Sequence, residues 1–206
     1  KLPNHLSAFG VLGSGRWLVA VQQENRLPVW KEKTRVGMRG GYPTWKERGN
    51  RYDWSVIVQY SDDQGGTWHA GEPSKGSFKW ALPTVSHFIE SPDGTIALSI
   101  FGCVTDEEMD SYSASNGVIR SRDGGETWSE LAFDKNLIEP ICQASFLGHP
   151  FGTNRLLFSN PNSKTSRHRL TVRLSNDGGK TWAFARLLHA GPSAYSCLTV
   201  LPDGSV

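Results

Sequence analysis

The sequence predicts an all-β chain assembled from repeated four-stranded sheets, and three observations carry that prediction. An eight-residue pattern, S-x-D-x-G-x-T-W, occurs as Ser61–Trp68, Ser121–Trp128 and Ser175–Trp182. Its copies start 60 and 54 residues apart, the length of one four-stranded unit with its loops, and self-similarity at such a period marks a repeat architecture. The composition has 8 Trp and 22 Gly, and short apolar runs bounded by turn residues replace any long helical periodicity. Radial repetition of such sheets is a β-propeller. About three and a half units fit in 206 residues, so the expected architecture is an incomplete propeller.

Each position of the pattern has a role in a turn. Asp63, Asp123 and Asp177 can accept hydrogen bonds from amides of their own turn. Gly65, Gly125 and Gly179 can take positive φ. Trp68, Trp128 and Trp182 are large apolar caps that pin the turn to its neighbours. Ser61, Ser121 and Ser175 open the three copies.

The units follow in order. The first spans about 8–75: a hairpin over Ala8–Glu24, a long polar loop from Asn25 to Asp53, and a strand over Trp54–Tyr60. That loop is rich in Lys and Arg, and long irregular loops are often functional. The second spans about 82–135. It has a strand at Leu82–Ile89, a turn at Ser91-Pro92-Asp93-Gly94, a return at Thr95–Phe101, a polar loop at Thr105–Ser115 and a strand at Gly117–Arg120. The third spans about 139–190, with strands at Pro140–Leu147, Leu156–Ser159, Leu170–Leu174 and Ala183–Leu188. A fourth begins at 194–206 with a strand over Ala194–Val200. Lys1 is not an initiator methionine and Val206 falls where a strand is expected to continue, so the chain reads as a fragment.

Composition narrows the function. Lys+Arg 22 against Asp+Glu 20 gives a net charge of +2, which argues against a nucleic-acid or membrane-surface role. No apolar run reaches membrane-spanning length, and no signal peptide stands at the start. Cys103, Cys142 and Cys197 are isolated and lack metal-ligand spacing, so they read as buried free thiols, with no metal.

The repeated pattern resembles the Asp box of the sialidase (neuraminidase) superfamily, where it closes the outer hairpin of a propeller blade. Its aspartates are then structural. The resemblance is strongest over 139–206. Cys142-Gln143-Ala144-Ser145, LLFSNP at 156–161, Arg167 before LTVRLS, and GPSAYSCLTVLPDG are similar to the last third of exo-α-sialidases. It implies that Arg167 is one of three arginines clamping the sialic acid carboxylate, with Arg169 the alternative register, and that Tyr195 is the catalytic nucleophile. A carboxylate wants a planar, permanently charged, bidentate donor. The reacting carbon carries that carboxylate, which would repel an anionic nucleophile; a phenol activated by a neighbouring Glu suits it better.

Elsewhere the resemblance is looser. His5 stands where the family's first arginine belongs, and a histidine cannot make the same fork. Asp53 is the nearest counterpart of the general acid, with Arg51 or Arg48 as the loop's arginine. One of Arg35, Arg39, Arg48 and Arg51 is expected to substitute for the missing arginine. The family's activating Glu and second arginine lie on a blade for which there is no room between Trp128 and Cys142; Glu139, expected to begin an inner strand, is the candidate in its place. Two functions follow. One is an exo-α-sialidase that removes terminal sialic acid from glycoconjugates through a tyrosyl intermediate, needing no cofactor. The other is an inactive sialidase-like propeller that serves as a glycan-binding or structural module. Either implies a carbohydrate partner, and family habit implies export.

Overall fold

A computed structural model describes residues 6–25, 33–39, 42–47, 53–71, 80–83, 86–103, 114–152 and 154–206. Among these the chain is strand and turn throughout, without helix. The strands are β1 (Leu6–Val11), β2 (Trp17–Asn25), β3 (Lys33–Arg39), β4 (Tyr42–Glu47), β5 (Asp53–Ser61), β6 (His69–Ala70), β7 (Trp80–Pro83) and β8 (Ser86–His87). They continue as β9 (Ile89–Glu90), β10 (Ile96–Cys103), β11 (Ala114–Ser121), β12 (Ala132–Glu139), β13 (Ser145–Gly148), β14 (Leu156–Pro161), β15 (His168–Ser175) and β16 (Phe184–Pro192).

Three sheets carry the architecture. Their strand orders are β6-β5-β2-β1-β8, β12-β11-β10-β7 with β9 also on β10, and β13-β14-β15-β16. Pairing is antiparallel except where β8 joins β1 in parallel, Ala8 opposite Ser86 and Phe9 opposite His87. That pair stitches the chain leading into the second sheet onto the first.

The sheets stack face to face. Leu18, Ala20, Val56 and Val58 of the first meet Ile96, Leu98, Ile100 and Ile119 of the second in one apolar layer. Ala97 and Val118, on the opposite pleat of the second, meet Phe146, Leu156 and Phe158 of the third. Side chains on a strand alternate between faces, so β10, covered on both, must be apolar nearly throughout.

Several strand expectations are corrected. The third unit's first strand starts at Ser145 rather than Pro140, since a turn occupies the residues after Glu139. The expected strand Leu82–Ile89 is divided among β7, β8 and β9, of which β8 pairs with β1 and the other two with β10. The long polar loop between Asn25 and Asp53 contains a hairpin, in which β3 pairs β4 with Arg39 opposite Tyr42. The sequence between those partners is Gly40-Gly41, a two-residue hairpin signal hidden by the surrounding charge. The segment Ala194–Val200 is not a ladder strand. It lies against the third sheet through Ser196 Oγ on Ser159 Oγ at 2.8 Å and Leu198 N–H on Ser145 Oγ at 2.9 Å. Side-chain contacts hold it, so period-2 burial survives from Ser196 to Val200 without backbone pairing. Cys103 and Cys142 are buried as expected, whereas Cys197, on the outer side of that alternation, is exposed.

Each Asp box is a carboxylate-centred turn. In the third, the Ser175 hydroxyl donates to Asp177 Oδ1 at 2.7 Å, and Lys180 N–H, Thr181 N–H and Thr181 Oγ1 donate at 3.1, 2.9 and 2.6 Å. The first and second repeat this with Ser61–Asp63–Thr67 and Ser121–Asp123–Thr127. Gly65, Gly125 and Gly179 take φ of 92°, 95° and 81°. The preceding residue is left-handed too, and in the first box it is Gln64, at 57°, rather than glycine. The indole N–H of Trp68 and of Trp128 returns to Gly65 O and Gly125 O at 3.1 and 3.0 Å. Trp128 packs on Phe88, and Trp182 on Phe158.

Arginines bind the boxes to the preceding sheet. Arg16, just before β2, donates to Gly124 O of the second box at 3.2 Å and pairs with Asp62 and Glu126. Arg120, in β11, donates Nε–H to Gly178 O of the third box at 3.0 Å.

Hydrogen bonds from Thr67 N–H, Ser61 and Thr67 hold Asp63 at about 2. At Asp123 and Asp177 burial opposes the shift, and the bonds from Thr127 and Ser121, or from Thr181 and Ser175, outweigh it to leave both at about 2. An unfolded aspartate titrates near 3.9, so these groups stabilise the fold above about pH 4, and the contribution is lost as pH falls toward 2. Urea midpoints should therefore drop steeply between pH 4 and pH 2. Asp177→Ala should cost about 1 kcal/mol at pH 7, as expected for a lost turn acceptor, and should flatten part of that acid limb. An unchanged limb in this variant would contradict the carboxylate's role.

Candidate active site

The chain direction brings the candidate residues to one end. Strands β5, β11 and β15 run into the boxes at Ser61, Ser121 and Ser175, while β12 and β16 run away from them. Asp53 opens β5, Glu139 closes β12, Arg167 precedes β15 and Tyr195 follows β16. All four belong to the end opposite the boxes. Arg48, Arg51 and His5 lie outside the described residues, and Arg35 and Arg39 fall on β3.

Arg167 and Tyr195 meet. The exposed guanidinium of Arg167 lies over the Tyr195 ring, 5.4 Å from its centroid, and donates through Nη2 to Ile141 O. The carbonyl of Arg167 accepts Ser193 N–H at 3.0 Å, a backbone bond that fixes the spacing between the two segments. Tyr195 is 65% exposed, so its ring and hydroxyl are open to a ligand. Arg169 does not join them in this contact. Its φ is 64°, at a bulge where the β15–β16 register shifts between His168 and Leu170.

Glu139 differs from its expected position. It ends β12, an edge strand of the second sheet, opposite Ala114, instead of beginning an inner strand. Pro140, lacking an N–H, ends the ladder immediately after Glu139. The side chain is fully buried. Oε2 accepts Asn116 Nδ2 at 3.2 Å and Asn160 Nδ2 at 3.0 Å, and Oε1 accepts the N–H of Cys142. Burial pushes the carboxyl up to about 7, against the downward pull of the Asn160, Cys142 and Asn116 hydrogen bonds and the Arg167 charge. Burial likewise lifts the Cys142 thiol to about 11, so that cysteine is inert. Asn116 and Asn160 were not anticipated. They are buried polar residues inside apolar strands, the one signal by which the sequence could have marked them.

Ile141, in the turn after Glu139, has φ of 53°. A β-branched residue there is strained, and such strain gathers at functional sites. Among the described residues no group of three His, Cys, Asp or Glu side chains could hold a metal ion.

These features define an Asp-box propeller with a polar, arginine-bearing end. The family model for the BNR repeat-like domain matches residues 8–206, and the chain belongs to that family, within the sialidase superfamily. It is similar to the sialidase of Micromonospora viridifaciens, 35% identical over 157 residues, covering 73% of this chain and 22% of the relative. The sialidase of Bacteroides fragilis (strain YCH46) is 29% identical over 158 residues, covering 72% and 27%. The chain thus spans about a quarter of the length of these curated relatives. In fold it is similar to a leech intramolecular trans-sialidase (TM-score 0.58, 22% identity, 94% of this chain and 26% of that one). It is also similar to the NanB sialidase of Streptococcus pneumoniae (TM-score 0.59, 20% identity, 94% and 25%).

The elevated Glu139 carboxyl has a stability signature. An unfolded glutamate titrates near 4.3, so the group's contribution is full below about pH 4 and is lost as pH rises through 7. Wild-type stability should decline between pH 5 and pH 8, and Glu139→Gln, which carries no titrating group, should flatten that decline. Thermal melts across this range check both.

Proposed function

We propose that this chain carries the nucleophile and one carboxylate-binding arginine of an exo-α-sialidase, a glycoside hydrolase that removes terminal sialic acid from glycoconjugates. The observation that supports this most is the contact between Arg167 and Tyr195, from separate segments of the third unit. A guanidinium beside a phenol is what the reaction requires. Arg167 binds the substrate carboxylate and so orients the anomeric carbon toward Tyr195 Oη. Oη gives its proton to a carboxylate base and forms a bond to that carbon as the bond to the aglycone oxygen breaks, and a carboxylic acid protonates the departing oxygen. Asp53 is the candidate acid, since β5 starts at the same end. Water then attacks the tyrosyl intermediate, giving one proton to the carboxylate that acted as acid while the base returns a proton to the departing Oη, and sialic acid leaves with retained configuration. The box aspartates, at the far end of the sheets, take no part. On this reading the partner is a sialylated glycan and the protein is exported.

A second reading is a glycan-binding or structural module without turnover. It is favoured by His5, where the sequence lacks the expected arginine, and by the hydrogen bonds of Glu139. Those go to Asn116, Asn160 and Cys142, and among the described residues no carboxylate bonds the Tyr195 hydroxyl.

A fluorogenic sialoside assay and calorimetry on the protein carrying this chain separate the two. Tyr195→Phe should cut kcat by about 100-fold or more with sialic acid affinity nearly unchanged, because only the oxygen is removed. Arg167→Lys should weaken binding and turnover together, about tenfold or more, because a point charge replaces a fork. Wild-type turnover in Tyr195→Phe would refute the nucleophile assignment. Binding without any wild-type hydrolysis would establish the module.

A further inference from the structure

We propose that Glu139 is the positioning residue of Arg167: it pins the turn that holds the guanidinium, and its charge sets how strongly that guanidinium attracts a ligand carboxylate. The second half of this statement rests on the carboxylate-binding reading of Arg167 given above.

The geometry starts from a buried carboxylate whose orientation is determined by three strand-borne or turn-borne donors. Asn116 comes from β11 and Asn160 from β14, in different sheets, and each sends one amide N–H to Glu139 Oε2. The other N–H of each goes to a carbonyl of β12, Leu137 O at 3.3 Å and Ile138 O at 2.8 Å. Both amide hydrogens are therefore used, which sets the orientation of each side chain. The two amides fasten the end of β12 between neighbouring sheets.

The third donor, Cys142 N–H, closes the turn from Glu139 to Cys142. Inside that turn Ile141 is left-handed, and its carbonyl receives Arg167 Nη2. The chain of contacts runs from Glu139, through the turn it closes, to the guanidinium over Tyr195. Without the Glu139 acceptor nothing in this set compensates the strain at Ile141, and the carbonyl that holds Arg167 loses its aim.

Charge adds the second effect. The groups around the carboxylate are the neutral amides of Asn116 and Asn160, the thiol of Cys142 and the guanidinium of Arg167. With Cys142 raised to about 11, Arg167 is the charged one at neutral pH. Glu139, poised at about 7, gains a negative charge across the physiological range. That charge then competes with an incoming carboxylate for the same guanidinium. By linkage, carboxylate affinity falls as pH rises through 7.

The experiment has a ligand-free arm and a ligand arm. In the first, the side-chain carboxyl of Glu139 is titrated by ¹³C NMR in the whole chain and in Arg167→Met, a substitution at an exposed residue that leaves the core intact. The midpoint should rise when the opposite charge is removed. An unmoved midpoint overturns the proposal whatever becomes of the sialidase reading. In the second, affinities for N-acetylneuraminic acid and its methyl ester are measured at pH 5.5 and pH 8.5. Wild-type affinity for the acid should fall measurably with rising pH, while the ester changes little. Glu139→Gln should lose the slope; retention of the wild-type slope overturns the proposal. If neither ligand binds the wild type, the sialidase reading fails, and the midpoint shift decides this inference alone.

Discussion

The rest of the structure depends on the Asp-box carboxylate. One aspartate gathers a serine hydroxyl, a threonine hydroxyl and backbone amides into a turn, and the turn exposes carbonyls on its outer side. Those carbonyls are what the neighbouring sheet grips. Gly124 O takes Arg16 and Gly178 O takes Arg120, so a hairpin closure in one unit is a docking point for the unit before it. A Cβ added at Gly125 would lie 2.8 Å from Leu18 Cδ2, and one at Gly179 would lie 3.0 Å from Arg120. Glycine is needed there both for its positive φ and for this close approach. Local turn chemistry and packing between sheets therefore use the same residues.

The two ends of the sheets differ in kind. The box end is held by exposed carboxylates that stay ionised in ordinary conditions and are satisfied within eight residues of sequence. The opposite end is held by a buried carboxylate whose partners come from two strands, in different sheets, and from the turn that follows it. Between them run apolar layers in which Leu98, Ile100 and Phe158 are almost wholly enclosed. The apolar layers supply most of the burial, and the polar end supplies specificity of position. A buried carboxylate met by three donors holds its neighbours in one arrangement, and that is the form of support a ligand-binding arginine requires.

The site was partly legible. Arg167 and Tyr195 could be singled out because motif and separation, 28 residues, travel together in sequence. Their actual contact depends on Ser193 N–H bonding Arg167 O, which no pattern reveals. Asn116 and Asn160 escaped notice since an asparagine in a strand reads as a surface residue until the facing strand is known. Glu139 is expected at the start of an inner strand but closes β12, because the proline after it cannot extend the ladder and the facing asparagines are unknown until the sheets pack.

The sequence by itself determined the all-β class and the three hairpin closures. Each follows from residues close together along the chain: a turn acceptor and its amides, a left-handed glycine, alternating apolar positions. Tertiary structure alone decided which sheet grips which box, that β10 is covered on both faces, that the charged loop holds a hairpin, that 194–200 packs without pairing, and that Glu139 faces two asparagines and stands behind Arg167. Those outcomes depend on which faces meet once the sheets stack, and residues more than twenty positions apart carry no mark of one another until burial forces their polar groups to find partners.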